Sequence, residues 1–413
     1  MINPSRRHLL KTTAAGAAAA LNLGFASGET FPPQDRILVL VHLRGACDAL
    51  NLISPATDAN FLAARTAELR ANADGPAAGI ELTQHAAPDI GFYLHSAAAP
   101  LAEFYRDRSL AVVVATGVPD ANRSHFVATD MIERGVGRPS ELLTLSSGWL
   151  ARQTRALGAR DLLSAVEVTA ALSGDYAELP SAVAIPDISH GFDPPGGGGA
   201  WRAIAALYEP DSDEIAAIAK RTLAVAQQIR TDNASHIYAA CNTTDYDRAG
   251  EFGRALQSLS TIIKMEAGLR VASIDLGGWD THDNQPRRFA ALAAKLAAGL
   301  SAFWNDIPKY HDRVTLVTIS EFGRRLRSNK SNGTDHGRAG AMLVMGAGVN
   351  GGRFFGHWPG LTDEQLEEGV DLRVTTDFRQ VLSEAAAYQI RGKRVEGLFP
   401  NFTAANDLGL FQA

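Results

Sequence analysis

The feature of this sequence that most constrains its fold is a series of short, uninterrupted apolar segments rich in β-branched residues. They read ILVLVHL over 37–43, LAVVVATG over 110–117, RVASIDL over 270–276, VTLVTIS over 314–320 and AMLVMG over 341–346. Segments of this kind are typical of parallel strands that are buried on both faces of a sheet. We therefore expect a central sheet that is covered on both sides.

Segments with helical periodicity lie between these strands. They cover 97–106, 213–230, 251–268, 287–303 and 376–391. Alternation of strands and helices predicts an α/β fold with a doubly wound, mostly parallel sheet flanked by helices. Residues 35–413 are expected to form a single domain, in which the less regular stretch around 137–211 is a cap or insertion. The glycine-rich stretch 194–199 is predicted to be a loop.

The first 26 residues have the pattern of an export signal and are not expected to belong to the fold. Arg6 and Arg7 precede two leucines and Lys11, and a short, alanine-rich apolar segment continues to Ala26. This pattern is typical of the twin-arginine route and predicts a periplasmic or secreted protein that uses the twin-arginine translocase. The alternative is an N-terminal helix of the domain. No stable membrane span is expected, because such a span needs roughly 20 strongly apolar residues.

Composition and charge argue against several other classes of protein. The formal net charge is −6 and no basic cluster follows the N-terminus, so no nucleic-acid partner is expected. Cys47 and Cys241 could form a disulfide after export or remain two separate buried thiols. Because no Cys-x-x-Cys occurs, a thiolate zinc site is not expected either.

Carboxylates and imidazoles cluster where the predicted strands end. Ligands bind beyond the carboxyl ends of strands in open parallel sheets, so these positions are the candidates for a site. The candidate metal ligands are Asp48, Asp280, His282, Glu321, Asp335 and His336. Mixed carboxylate and imidazole ligands suit Zn²⁺, Mn²⁺ or similar divalent ions.

Residues with a second type of chemistry follow the strand at 110–117. A serine beside a metal becomes a better nucleophile, and an arginine can hold an anionic oxygen through two hydrogen bonds. We therefore predict that Ser124 is a nucleophile and that Arg123 or Arg44 stabilises charge. Structural alternatives remain open, because Asp48 and Ser124 could each simply cap a helix.

Five segments, in this order, resemble those of a known bacterial family. They are RGACDALN over 44–51, RSHF with ERG over 123–135, GGWDTH over 277–282, SEFGR over 320–324 and TDHG over 334–337. These segments are similar to those of the bacterial domain-of-unknown-function family 1501, whose members are often exported by the twin-arginine route. The resemblance extends from about Asp35 to about Gly392.

That family is grouped with the alkaline phosphatase and sulfatase superfamily. The resemblance implies a three-layer fold, one or two divalent metals and a Ser, Thr or modified Cys nucleophile. By position, Asp48 resembles the ligand after the first strand, Ser124 the nucleophile, and Asp280 and His282 the ligands of one metal, which His336 would join. Glu321 stands where the superfamily usually has an Asp-His pair. Phe322 follows it instead, so one imidazole is missing unless His125 or His336 replaces it.

The function implied by this resemblance is metal-dependent hydrolysis of phosphate or sulfate esters, with Zn²⁺, Mn²⁺ or Ca²⁺ as the ion. The substrate would be a small anionic ester or a polysaccharide. The alternative is a non-catalytic exported protein that uses the same fold to bind a partner or polysaccharide, and the missing Asp-His pair favours it. A third reading is a protein with only a structural ion.

Overall fold

The computed structural model describes residues 35–75, 78–82, 90–188, 197–235, 244–404 and 406–412. The predicted signal segment, Cys241 and residues 194–196 of the glycine-rich stretch lie outside these ranges. Cys47 is a buried free thiol among the described residues. Burial raises the pKa of this thiol well above its ordinary value.

The secondary structure alternates between strands and helices along most of the chain. In chain order the strands are β1 (Ile37–Leu43), β2 (Ile53–Pro55), β3 (Ile80–Leu82), β4 (Phe92–Leu94), β5 (Leu110–Gly117), β6 (Ala165–Glu167), β7 (Val183–Ala184), β8 (Val271–Leu276), β9 (Val314–Ile319), β10 (Gly340–Gly346), β11 (Phe354–Phe355) and β12 (Thr376–Asp377). The helices are α1 (Ala49–Leu52), α2 (Ala59–Ala64), α3 (Pro100–Arg106), α4 (His125–Arg134), α5 (Trp149–Ala156), α6 (Gly197–Tyr208), α7 (Glu214–Ser235), α8 (Gly250–Lys264), α9 (Gln285–Asp306) and α10 (Phe378–Gln389).

The central sheet is mostly parallel, as the apolar segments predicted. Its strand order is β11-β5-β10-β9-β1-β8-β6-β7, and β12 also pairs with β5. Strand β10 is the exception, because it runs antiparallel to both β5 and β9. A parallel return usually needs a crossover helix, and residues 320–339 between β9 and β10 form none, so the chain returns antiparallel.

The predicted strands and helices are confirmed to within a few residues at most ends, but two regions differ. The stretch around 137–211, predicted to be a cap or insertion, contributes β6 and β7 to the central sheet. These strands have three and two residues, too short to leave a pattern in the sequence. In the glycine-rich stretch predicted as a loop, Gly197 begins helix α6.

Both faces of the sheet are covered by helices, which explains why β1 is apolar along nearly its whole length. All seven residues of β1 are buried. Val39 and Val41 pack in one apolar cluster with residues of α3, α8 and α9. Leu38 and Leu40 pack in the other with residues of α4, α5 and α10. A strand with two buried faces needs side chains that are apolar on both.

The strand directions bring remote loops to one edge of the sheet. Strands β1, β8 and β9 are parallel neighbours, so the loops that follow them lie side by side. Because β10 runs the opposite way, its first residue lies at this same edge. The segment that precedes β10 therefore joins the loops that follow the parallel strands.

Gly323 is expected to be required where the loop after β9 packs against the segment before β10. A Cβ atom at this position would lie 1.9 Å from the carbonyl oxygen of Ala339, which is backbone and cannot swing away. We expect Gly323→Ala to lower the free energy of unfolding by about 1–3 kcal/mol, the usual cost of overpacking. Urea denaturation measures this change.

The matched control is Gly277→Ala, because a Cβ at Gly277 would meet no described atom within 4 Å. Its free energy of unfolding should change by no more than about 0.5 kcal/mol, as for an ordinary surface substitution. Equal stability of the two variants would contradict the close packing inferred at Gly323.

Candidate metal centre

Four side chains converge at the carboxyl edge of the sheet. His125 begins α4, Asp280 and His282 follow β8, and His336 precedes β10. His336 Nε2 lies 2.9 Å from His282 Nε2 and 3.1 Å from His125 Nε2. Asp280 Oδ1 lies 3.0 Å from His282 Nε2 and 3.1 Å from His336 Nε2. The ligand atoms of His125, Asp280 and His336 lie within 4.8 Å of one another, and His282 adjoins this group through Asp280 and His336.

The opposite nitrogen of each ring has its own acceptor. His336 Nδ1 lies 3.1 Å from the carbonyl oxygen of Arg123, which can only accept a hydrogen bond. His282 Nδ1 lies 3.2 Å from Asp335 Oδ1, and the Asn329 amide donates to that same oxygen at 3.0 Å. A neutral ring that donates from Nδ1 carries its lone pair on Nε2. This is how metal-binding histidines are oriented in proteins.

His125 is oriented by Glu321, whose carboxylate lies 3.4 Å from His125 Nδ1. The backbone amides of Gly45 and Ala46 donate to this carboxylate at 2.8 and 3.0 Å. Both residues have a positive φ, so their successive amides form a concave anion-binding turn. Burial opposes ionisation of Glu321, but the hydrogen bonds from His125 and these amides lower its pKa to about 2. Glu321 thus contacts Nδ1 of His125, whereas the other imidazoles lie on the Nε2 side of that ring.

Asp280 is held by Arg324, a residue that the sequence analysis did not single out. Arg324 Nη2 donates to Asp280 Oδ1 at 2.6 Å, and the guanidinium is buried. Burial opposes ionisation of Asp280, but its contacts with the His336 imidazole and the Arg324 guanidinium lower its pKa to about 2. The carboxylate therefore stays ionised beside the imidazoles. In the sequence, the role of Arg324 was indicated only by its position in the loop that follows β9.

The donor types fit a divalent ion, and the separations around His336 are close to those between ligands of one ion. Ligands about 2.0–2.1 Å from Zn²⁺ in a tetrahedral site stand about 3.3 Å apart, close to the 2.9–3.1 Å separations around His336. Neutral imidazole lone pairs and a carboxylate repel one another at such distances unless a positive charge lies between them. Because the side chains of His282 and Asp280 are 41% and 47% exposed, the group is open to solvent on one side.

Asp48, predicted to be a metal ligand, lies outside this group. Its carboxylate is fully buried and accepts two hydrogen bonds from Arg65, at 2.6 and 3.0 Å. Gln285 donates to it at 2.6 Å, and the Asn51 amide donates to it at the start of α1. Asp48 is therefore a helix cap and an ion-pair partner, which is the structural alternative considered above.

The two arginines predicted to stabilise charge are both engaged by carboxylates. Arg44 lies 2.6 Å from Glu133 and 3.1 Å from Asp275. Arg123 pairs with Asp371, while its carbonyl supports His336. Neither guanidinium is therefore a free cation at the metal centre.

Ser124, the predicted nucleophile, is exposed and precedes His125 directly. It occupies the N-cap position of α4, but its side chain makes no capping hydrogen bond to the described residues. The first turn of α4 contains no acidic residue. This helix therefore presents an uncapped N-terminus, with its partial positive charge, beside the imidazoles.

The N-terminus matches the model of the "TAT (twin-arginine translocation) pathway signal sequence" over residues 3–23. This match confirms the predicted export signal, so the protein is exported by the twin-arginine route to the periplasm or beyond. Among the described residues, no helix is both long enough and apolar enough to cross a membrane.

Two solved structures are similar to this chain. One is described as "Crystal structure of Ps i-CgsB in complex with k-i-k-neocarrahexaose". Its TM-score is 0.40 and its sequence identity is 8%, and the similarity covers 88% of this chain and 74% of that chain. The other, "Crystal structure of Ps i-CgsB", has a TM-score of 0.35 and 8% identity, and covers 90% of this chain and 75% of that one. No curated protein sequence matches the chain.

The sequence itself shows the family. The model described as "Protein of unknown function (DUF1501)" matches residues 115–392, which is more than half of the chain. This stretch holds His125, Asp280, His282 and His336, so every residue of the candidate metal centre lies within the match. The chain belongs to the DUF1501 family.

Proposed function

We propose that this protein is a metal-dependent hydrolase of phosphate or sulfate esters, built on the three-layer fold of the alkaline phosphatase and sulfatase type. The observation that carries the proposal is the group of His125, Asp280 and His336, whose ligand atoms lie within 4.8 Å of one another, with His282 beside it on the solvent-open side. Structural metal sites are usually closed, whereas catalytic sites keep one side open. The position at the carboxyl edge of a mostly parallel sheet supports a ligand site as well.

The imidazole-rich donor set favours Zn²⁺ or Mn²⁺ over Ca²⁺, since Ca²⁺ prefers oxygen ligands. His125, His282, His336 and Asp280 would hold the ion. When bound, such an ion polarises the ester and stabilises the negative charge that develops in the reaction. Glu321, Asp335 and the Arg123 carbonyl keep the three rings in the orientation that binding needs.

The residues of the chain carry out the bond-breaking steps and bind the substrate. The Ser124 oxygen would attack phosphorus or sulfur, so that a serine ester forms, the bond to the ester oxygen breaks, and the hydroxyl proton leaves with the alcohol of the substrate. Water would then hydrolyse the serine ester, which releases phosphate or sulfate and restores the hydroxyl. The uncapped amides at the start of α4 bind the anionic oxygens of the substrate, because a helix N-terminus attracts negative charge.

A second function is favoured by one observation. Arg44 and Arg123 are both paired with carboxylates, so the side chains expected to stabilise the transition state are already engaged. A non-catalytic exported protein that binds an anionic ester or polysaccharide fits this arrangement. It differs from the hydrolase in showing binding without turnover.

We expect the purified mature protein to retain about one equivalent of a transition metal, with His336→Ala reducing the content at least tenfold. His336 is central to the group, so its loss removes the contact to both other imidazoles. Asp335→Ala should weaken affinity about 10–100-fold, because it removes the acceptor that orients His282. Elemental analysis and competition with a chelator measure both effects.

The control is His357→Ala, since His357 is exposed and lies outside the group. It should keep the metal content of the unmodified protein. Equal metal content in the His336→Ala and His357→Ala variants would exclude the assigned ligands.

We expect Ser124→Ala to lower kcat for an aryl phosphate or aryl sulfate by at least about 10³-fold, because a nucleophile that acts as part of a unit has been removed. Metal content should not change, since Ser124 is not a ligand. Undiminished turnover would show that Ser124 is not the nucleophile. An unmodified protein that binds the ester but does not turn it over would favour the binding function.

A further inference from the structure

A second polar cluster lies on one face of the sheet, at the carboxyl ends of β1, β8 and β6. In the strand register, Ser273 is beside Leu40 on one side and Glu167 on the other. His42 is beside Asp275, two residues further along the same strands. Since side chains alternate between faces, all of these point to one side of the sheet.

Two further carboxylates complete this cluster, Asp175 in the turn at Gly174–Tyr176 and Glu133 near the end of α4. We call the group formed by Glu133, Glu167, Asp175, Ser273 and Asp275 the carboxylate crevice. Asp175 Oδ2 lies 2.6 Å from His42 Nε2, and both residues are buried.

Ser173 brings two of these carboxylates together. Its backbone amide donates to Glu167 Oε2 at 2.5 Å, and its hydroxyl donates to Asp175 Oδ2 at 3.3 Å. Each carboxylate thus has one oxygen in a hydrogen bond to the same residue. Ser173 therefore links the Glu167 and Asp175 carboxylates, both of which are buried.

The other oxygen of each carboxylate lacks a partner. Within the part of the chain that the structure describes, Glu167 Oε1 and Asp175 Oδ1 are buried without a hydrogen bond. The Ser273 hydroxyl can donate to the Tyr176 phenol, which itself donates to the Val166 carbonyl at 2.9 Å, so the lone pairs of Ser273 Oγ stay available to a ligand. Two buried carboxylate oxygens without donors are strongly unfavourable.

The charges of the crevice do not balance. Four carboxylates face one arginine, Arg44, and one imidazole, His42. With all four carboxylates ionised and His42 protonated, the cluster carries two more negative charges than positive ones. Burial, reinforced by the charge of Asp175, raises the pKa of Glu167 to about 7, which reflects the same shortage of positive charge.

We propose that the carboxylate crevice binds a hard divalent cation, Ca²⁺, through Glu167, Asp175 and Ser273. These donors are all oxygens, which Ca²⁺ prefers, whereas the metal centre at His336 is rich in imidazole. A dication supplies the two positive charges that the crevice lacks. Arg44 and Asp275 are partly exposed, at 21% and 38%, and mark the entrance from solvent.

A cation here stabilises the helix that carries His125. Glu133 of α4 accepts a hydrogen bond at 2.9 Å from the amide of Gly174, next to Asp175. The ion would thus connect β6 and β8 with the turn against which α4 packs. This role is structural and does not require that the protein hydrolyse an ester.

The test uses the mature protein, freed of metal with a chelator and then titrated with CaCl₂ alone. We expect one Ca²⁺ per chain by calorimetry, together with a higher Tm. Glu167→Gln should weaken binding at least about tenfold and Ser273→Ala by less, as expected for a lost carboxylate and a lost hydroxyl ligand. His336→Ala should bind Ca²⁺ normally, as should Glu103→Gln, which changes an exposed carboxylate.

The order of stabilities distinguishes a cation site from a purely structural cluster. In calcium-free buffer, Glu167→Gln should unfold at the same Tm as the unmodified protein or higher, because an uncompensated buried charge is gone. Saturating Ca²⁺ should reverse that order. If Glu167→Gln does not fold, Ser273→Ala carries the comparison.

Two results would overturn the proposal. One is the absence of heat and of any Tm shift up to about 10 mM Ca²⁺, above the range in which exported calcium modules bind. The other is unchanged binding in Glu167→Gln and Ser273→Ala, which would place the ion elsewhere. Either result would leave the hydrolase proposal untouched, since that depends on the metal content and turnover of the His336 centre.

Discussion

The buried guanidinium of Arg324 is the interaction on which the arrangement of this edge of the sheet depends. It donates to the carbonyl oxygens of Gly45, Ala46, Trp279 and Thr334 and to the carboxylate of Asp280. These acceptors belong to the loops after β1 and β8 and to the segment before β10. A buried arginine is tolerated only when its donors are satisfied. The requirement to satisfy this charge therefore holds the three segments in register.

Much of the fold could be predicted from the sequence because burial on both faces of the sheet leaves a strong pattern. The apolar segments that became β1 and β5 have the predicted bounds. Strands β6 and β7 could not be predicted, since two or three residues carry no periodicity. The direction of β10 also had no local signal. It follows from the loop before it, which contains no helix to cross the sheet, and it is this direction that brings His336 to the edge.

The candidate site was predictable only in part, and the reason lies in the partners of each carboxylate. Asp280, His282 and His336 could be named because each lies at a strand end, where parallel sheets gather their ligands. Asp48 satisfied the same rule, yet Arg65, which lies 17 residues later, pairs with it. Glu321 is bound by amides whose direction depends on left-handed backbone at Gly45 and Ala46. No local pattern in a single sequence reveals such partners.

Helix α4 connects the two polar sites that this edge of the protein contains. His125 begins the helix and Glu133 lies eight residues further along it, so the helix spans about 12 Å between the imidazole group and the carboxylate crevice. The imidazole group joins residues as far apart as His125 and His336, 211 positions along the chain, and therefore exists only once the chain has folded. The twin-arginine route carries proteins that have already folded. The imidazole group is thus assembled before export, and an ion that binds it can be acquired on either side of the membrane.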